Sequence, residues 1–285
     1  MRALWVSSLL ISVAAGLPRV QVLPTVERPF VFMHLAKAGG QSLRKYVREG
    51  ARRIGIPADQ MYIPCSTGLD CWTFHINRTA GNFSVIAGHF GVTELEEAGI
   101  TEYDCLFNIR DPVDRAMSCL SFFYNELFQD AGRWSEDTFR RKATEEGVGT
   151  AVCHNDAARM LVSGMDDSVF MKASESHEVS KVLVTKALAS LKRCVVVDLF
   201  DGPAHGEEWH SKAHTVIKAY FPWLDNGQII PRENISNATL QGRPQKPQRL
   251  PHRLMKELEK LNRVDRVIYS HAQRLMEQQH PALTK

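Results

Sequence analysis

Phe30-Val-Phe-Met-His-Leu-Ala-Lys-Ala-Gly-Gly-Gln-Ser-Leu carries the residues best suited to handling an anion. Gly39 and Gly40 permit a tight turn whose backbone N–H groups converge on a charged oxygen. Lys37 adds a point charge and Ser42 a hydroxyl where a helix would begin, so residues 37–42 read as a phosphate cradle. A second set lies in Ile109-Arg-Asp-Pro-Val-Asp-Arg-Ala-Met-Ser, where Arg110 closes an apolar run and Ser118 falls in the second turn of the next helix. A guanidinium fork and a hydroxyl so placed can hold one phosphate between them. Two anion sites on separate strand–helix units are what a nucleotide phosphorylated at both ends of its ribose requires.

The order of residues in the cradle narrows the chemistry. An ATP-binding P-loop places its lysine after the glycines, together with a metal-binding carboxylate. Here Lys37 comes first. With Ser42 and the pattern Arg110-Asp-Pro-x-x-Arg-x-x-Ser118, the chain resembles sulfotransferases that use 3′-phosphoadenosine 5′-phosphosulfate (PAPS). Within them it is most similar to the Golgi carbohydrate type, the heparan sulfate and uronyl 2-O and 6-O group. That family commonly reads Lys-Thr-Gly-Gly-Thr-Ser, so Ala38 and Gln41 stand where hydroxyl residues are usual.

The resemblance implies that Lys37, Ala38, Gly39, Gly40, Gln41 and Ser42 hold the 5′-phosphosulfate and that Arg110 and Ser118 hold the 3′-phosphate. It extends to Ser84-Val-Ile-Ala-Gly-His-Phe-Gly, which would deliver His89 as the catalytic histidine and a contact to the acceptor. Cys153-His-Asn-Asp-Ala-Ala-Arg-Met-Leu would line the cleft, with Arg159 facing an anionic acceptor group. Arg193-Cys-Val-Val-Val-Asp-Leu and Phe221-Pro-Trp-Leu continue it, and a late basic loop with Arg243 and Lys246 would close over the cofactor, Arg243 contacting it.

The implied reaction is in-line sulfuryl transfer to a hydroxyl of a carbohydrate, glycosaminoglycan-like acceptor. His89 serves as general base, since imidazole exchanges protons near neutral pH, and Lys37 stabilises the leaving phosphate. His34 is the rival base, better placed to point into the sheet or support Lys37. No metal and no nucleic acid are expected. The alternatives are a catalytically inactive secreted protein of the same fold that binds glycan or nucleotide, and a sulfotransferase for a non-carbohydrate acceptor.

The elements that must position these residues follow from periodicity. Strands are expected at 30–35, 84–88, 104–110 and 194–199, and helices at 41–49 and 112–128. Asp111 is a natural N-cap and Pro112 a natural first helical residue. Helices dominate to about 191, another ends near Tyr220, and a polar loop from Asn226 to Pro251 precedes one long closing helix with Leu254, Leu258, Leu261 and Ile268 on its inner face. Strands alternating with helices imply an α/β fold with a mainly parallel sheet covered on both faces, P-loop-like in the resemblance. Ligands would gather at the carboxyl ends of the strands, where Lys37, His89 and Arg110 fall.

With 285 residues the chain suits one catalytic domain, taken as 28–280, and its net charge of +3 does not by itself demand a polyanionic partner. Residues 1–20 have a basic start and an apolar run too short for a comfortable membrane span, so a cleaved secretory signal is favoured over a type II anchor. Glycosylation sequons at Asn77, Asn82, Asn234 and Asn237 and an even count of six cysteines fit the secretory pathway and, by the resemblance, the Golgi lumen. Cys65 and Cys71 are expected to form one disulfide, whereas Cys105 is expected to be a buried thiol. Oligomeric state is left open.

Overall fold

A computed structural model describes residues 23–64, 82–123, 134–144, 153–200, 207–230 and 250–279. The expected segment 1–20, Cys65, Cys71, Asn77, Asn234, Asn237, Arg243 and Lys246 lie outside them. Asn82 is described and exposed.

The strands are β1 (Phe30–Met33), β2 (Met61–Tyr62), β3 (Val85–Gly88), β4 (Asp104–Ile109) and β5 (Cys194–Asp198); all but the two-residue β2 are buried, mainly apolar runs of four to six residues. They make one sheet in the order β2-β3-β1-β4-β5, every pair parallel. Alternate residues along each strand enter different cores. Val31, Met33, Cys105, Phe107 and Val196 pack on one face, and Phe30, Phe32, Leu106, Val195 and Val197 on the other. Two-sided burial explains why β1, β3 and β4 are apolar runs rather than alternating patterns.

One face is covered by α1 (Gly40–Arg53) and α8 (Glu207–Tyr220). The other is covered by α2 (Val92–Glu97), α5 (Asp156–Leu161), α6 (Asp167–Ala173), α7 (His177–Leu191) and α10 (Arg263–Gln279). A third apolar cluster joins α3 (Pro112–Phe123), α4 (Glu136–Thr144) and α9 (His252–Leu261).

Three expectations need correction. Cys105 is not a thiol: its strand register sets it beside Cys194, at a Cα separation of 4.4 Å, and the two form a disulfide. A second disulfide joins Cys119 of α3 to Cys153. The closing helix is two helices, broken at Asn262, whose side chain donates to the Leu258 carbonyl at 3.0 Å and accepts from the Asn155 N–H at 3.1 Å. Leu254, Leu258 and Leu261 therefore belong to the third cluster, while Ile268 faces the sheet. Finally, β1 stops at Met33 rather than residue 35, because the Leu35 N–H turns to the side chain of Asn108 instead of a neighbouring strand.

Two disulfides among the described residues match the usage of secreted and lumenal proteins. No described helix is long and apolar enough to cross a membrane.

Candidate active site at the carboxyl ends of the central strands

β1 and β4 are neighbours whose outgoing connections diverge, since the chain leaves β1 toward β2 and leaves β4 toward β5. Such a switch point opens a crevice beyond the strand ends. The loop after β1 and Arg110 after β4 both border it.

The loop is shaped by backbone and by a buried brace. Lys37 has φ 62° and Gly39 φ 80°, so two reversals in three residues bring the chain from strand into α1. Gly39 is the N-cap of α1, supplies no side-chain cap, and no acidic residue occupies the first turn. The positive end of a 14-residue helix is thus left for something other than a side chain. Asn108, fully buried on β4, holds the loop from beneath: Oδ1 accepts the Leu35 N–H at 2.8 Å and Nδ2 donates to the Ala38 carbonyl at 2.7 Å.

Gly40 is required by space rather than by conformation. A Cβ there would fall 1.7 Å from Cδ2 of His34, whose ring lies directly against the start of α1. His34 is buried, its ring is stacked between those of Phe32 and His89, and its centroid lies 3.9 Å from that of His89. The His89 Nδ1 is 2.8 Å from the His34 carbonyl oxygen. A carbonyl only accepts, so Nδ1 carries the proton and the basic lone pair of the neutral ring is on Nε2. Burial, then the charge of Arg44, lowers the His89 pKa to about 3, with the bond to His34 opposing. The His34 pKa is held well below its usual value, first by burial and then by His89, Arg44 and Lys37.

The charges of Arg44 and Lys37 act on this pair, and Arg110 is tied to the Lys37 backbone. Arg110 is half-buried, and its Nη1 donates to the Lys37 carbonyl at 3.1 Å while Nε has no protein partner. Its guanidinium lies 4.3 Å from the Phe200 ring centroid, and Lys37 Nζ is 3.9 Å from that of Phe122. Burial lowers the pKa of Arg110, with Asp114 and Asp198 opposing. Arg44, on the second turn of α1, donates to the Pro64 carbonyl at 3.0 Å, and burial, then Arg48, lowers its pKa to about 10. Asp111 caps α3 as expected, its Oδ1 accepting the Val113 and Asp114 N–H groups at 2.9 and 3.0 Å.

The sequence-derived residues are thus partly reunited. Lys37, Gly40, His89 and Arg110 are linked by contacts, Arg110 to the Lys37 carbonyl, Gly40 to the His34 ring and that ring to His89, while Ser42 is buried in the first turn of α1. Ala38 has its methyl in the apolar core, so only its backbone is presented, and Gln41 is exposed. Ser118 is half-buried in the second turn of α3. Arg159 belongs to a different cluster, with Nη2 3.0 Å from His154 Nε2 and the guanidinium 4.6 Å from the Phe170 ring centroid. That cluster contains fully buried Arg115, 3.2 Å from Asp156, and Asp265, which accepts the Ala157 and Ala158 N–H groups at 3.0 and 2.9 Å.

Sequence reasoning missed Asn108, Arg44, Phe122 and Phe200. Asn108 had a signal, a lone amide inside an apolar strand. The others depend on which helix and strand become neighbours.

No model of a known protein family matches the chain. No curated protein matches it either. Among the described residues, no group of three or more His, Cys, Asp or Glu is placed to hold a metal ion. The residues at the strand ends offer backbone N–H groups, lysine, arginine and an imidazole protonated on Nδ1. That set can bind a polyanion and accept one proton.

Proposed function

We propose that the protein is a PAPS-dependent sulfotransferase with a P-loop-like α/β fold, acting on a hydroxyl of a carbohydrate acceptor in the Golgi lumen. The observation that carries the reading is the contact between Arg110 and the Lys37 carbonyl, which couples the two anion-binding segments across the β1/β4 crevice. Three further features suit the donor: the α1 N-terminus without side-chain cap or carboxylate, the left-handed Lys37 and Gly39, and the buried unpartnered Nε of Arg110.

The donor would supply a sulfuryl group on a phosphate leaving group. Residues 37–42 would hold its 5′ end, and Arg110 with Ser118 its 3′-phosphate. Lys37 would place its ammonium where negative charge grows on the bridging oxygen. His89, fixed with Nδ1 protonated, would take the acceptor proton on Nε2. Bound anions next to Arg44 and Lys37 would offset the charges that hold its pKa down and so strengthen it as a base.

A second reading has its own support. With a pKa of about 3, His89 is a weak base, which favours a binding protein of the same fold without turnover. Incubation with radiolabelled-sulfate PAPS and a panel of desulfated glycosaminoglycans, other polysaccharides, small alcohols and tyrosine peptides separates the two. Label on a polysaccharide is the expected result. Binding of adenosine 3′,5′-bisphosphate with no transfer to any acceptor would establish the second reading instead.

A further inference from the structure

The ring of Phe200 touches both halves of the crevice. A Cβ on Gly39 would come within 3.1 Å of Phe200 Cε2 and 2.7 Å of Leu199 Cδ1, so the loop is packed against this pair. The opposite contact is the Arg110 guanidinium, 4.3 Å from the ring centroid. Phe200 is in turn fixed from below. Its N–H donates to Asp198 Oδ1 at 2.7 Å, and the other carboxylate oxygen of Asp198 accepts from Tyr269 Oη at 2.9 Å. Asp198 ends β5 in register with Ile109, the residue before Arg110. A continuous set of contacts therefore runs from α10 through Tyr269, Asp198 and Phe200 to Arg110, and from Arg110 to the Lys37 carbonyl.

We infer that Phe200, braced by Asp198 and Tyr269, is a positioning residue that sets Arg110 at a fixed distance from the glycine loop and so selects nucleotides phosphorylated at both the 3′ and 5′ positions. The inference rests on the donor assignment made above. The physics is that of a spacer. An arginine side chain has many rotamers, and a phosphate bound to an unfixed one must first order it. A flat ring restricts the guanidinium to one plane, while the Lys37 carbonyl takes one of its donors and orients the fork. The glycine loop holds the 5′ end through its own backbone and depends on the ring only for packing. Losing the ring should therefore cost the 3′-phosphate contact more than the 5′ one.

Calorimetric titration of the wild-type chain with adenosine 3′,5′-bisphosphate and with adenosine 5′-monophosphate tests this, repeated for Phe200→Leu, Phe200→Tyr and Tyr269→Phe. Thermal melting checks that each variant is folded. In the wild type the bisphosphate is expected to bind more tightly by about 10- to 100-fold, the value of one set of charged hydrogen bonds. Phe200→Leu should collapse most of that ratio while leaving the monophosphate nearly unchanged. Phe200→Tyr should restore it, and Tyr269→Phe should reduce it in part. A purely structural role would weaken both nucleotides together and leave the ratio intact, and that result overturns the inference, as does an undiminished ratio in a folded Phe200→Leu protein. Should the wild type bind neither nucleotide, the donor assignment falls and this inference with it.

Discussion

His89 is tied to His34 twice, by the 2.8 Å bond from Nδ1 to the main-chain oxygen and by rings stacked at 3.9 Å. The first contact selects the tautomer and the second the ring plane. Replacing His89 by alanine should reduce turnover by about 10²- to 10⁴-fold, the usual contribution of a general base. Binding of adenosine 3′,5′-bisphosphate, measured by titration, should be unchanged. Turnover equal to wild type would remove His89 from the chemistry.

Gly40 and His34 compete for one volume. Gly40→Ala would drive a methyl to 1.7 Å from His34 Cδ2, costing about 1–3 kcal/mol as an overpacked core site and displacing the loop. Adding His34→Ala removes the obstacle, so the double variant should melt higher than Gly40→Ala alone. Additive destabilisation would contradict the contact.

Asn108→Ala leaves the Leu35 N–H and the Ala38 carbonyl without their partner in a buried setting. Each such group costs about 1–3 kcal/mol, so a loss of roughly 3 kcal/mol in denaturant unfolding is expected. Anion binding should weaken in parallel, because the same two bonds shape the cradle.

Cys105 and Cys194 close 89 residues of chain between adjacent strands. Replacing both by alanine should lower stability by about 2–5 kcal/mol. Mass spectrometry of peptides from the unreduced protein should find the pair linked; recovery of Cys105 alkylated without prior reduction would refute it.

Buried imidazoles set the acid limit of the fold. His89 and His154 are each held at about 3, below the ordinary value of 6.5, chiefly by burial, and His34 is lowered in the same sense. Folded pKa values below the unfolded one mean that this stability is complete above about pH 6.5 and is withdrawn as pH falls toward 3. Asp265 acts oppositely: its pKa is raised to about 6 by burial, so its carboxylate costs stability as pH rises through that value. Asp156 is raised by burial in the same sense; three histidines outweigh these two carboxylates, and the urea midpoint should fall between pH 7 and pH 5. An unchanged midpoint would show that the imidazoles are not buried neutral.

The sheet was legible because β1, β3, β4 and β5 are short apolar runs flanked by Gly, Asp or Arg, a pattern that two-sided burial imposes. The turn after β1 was legible because Lys37 and Gly39 take left-handed backbone conformations, whereas the need for Gly40 comes from the packing of the His34 ring. Cys105 was misread, since a strand cysteine looks the same whether its neighbour in register is a valine or Cys194. The break at Asn262 was hidden for a similar reason: its cause is Asn155, far away in the chain. Arg159 was assigned to the cleft by the resemblance of its segment, and its contact with His154 depends on packing that the sequence does not display.

The central strand is made long before its neighbours. Phe30 is in register with Val85 and with Asp104, so during synthesis β1 has no sheet partner until those later segments have left the ribosome. The loop that follows β1 waits as well, for Asn108 of β4 to hold it from beneath. The anion binding proposed for residues 37–42 would therefore require β4 as well as the loop itself. An N-terminal fragment ending before β4 would contain every residue of the loop and none of its shape.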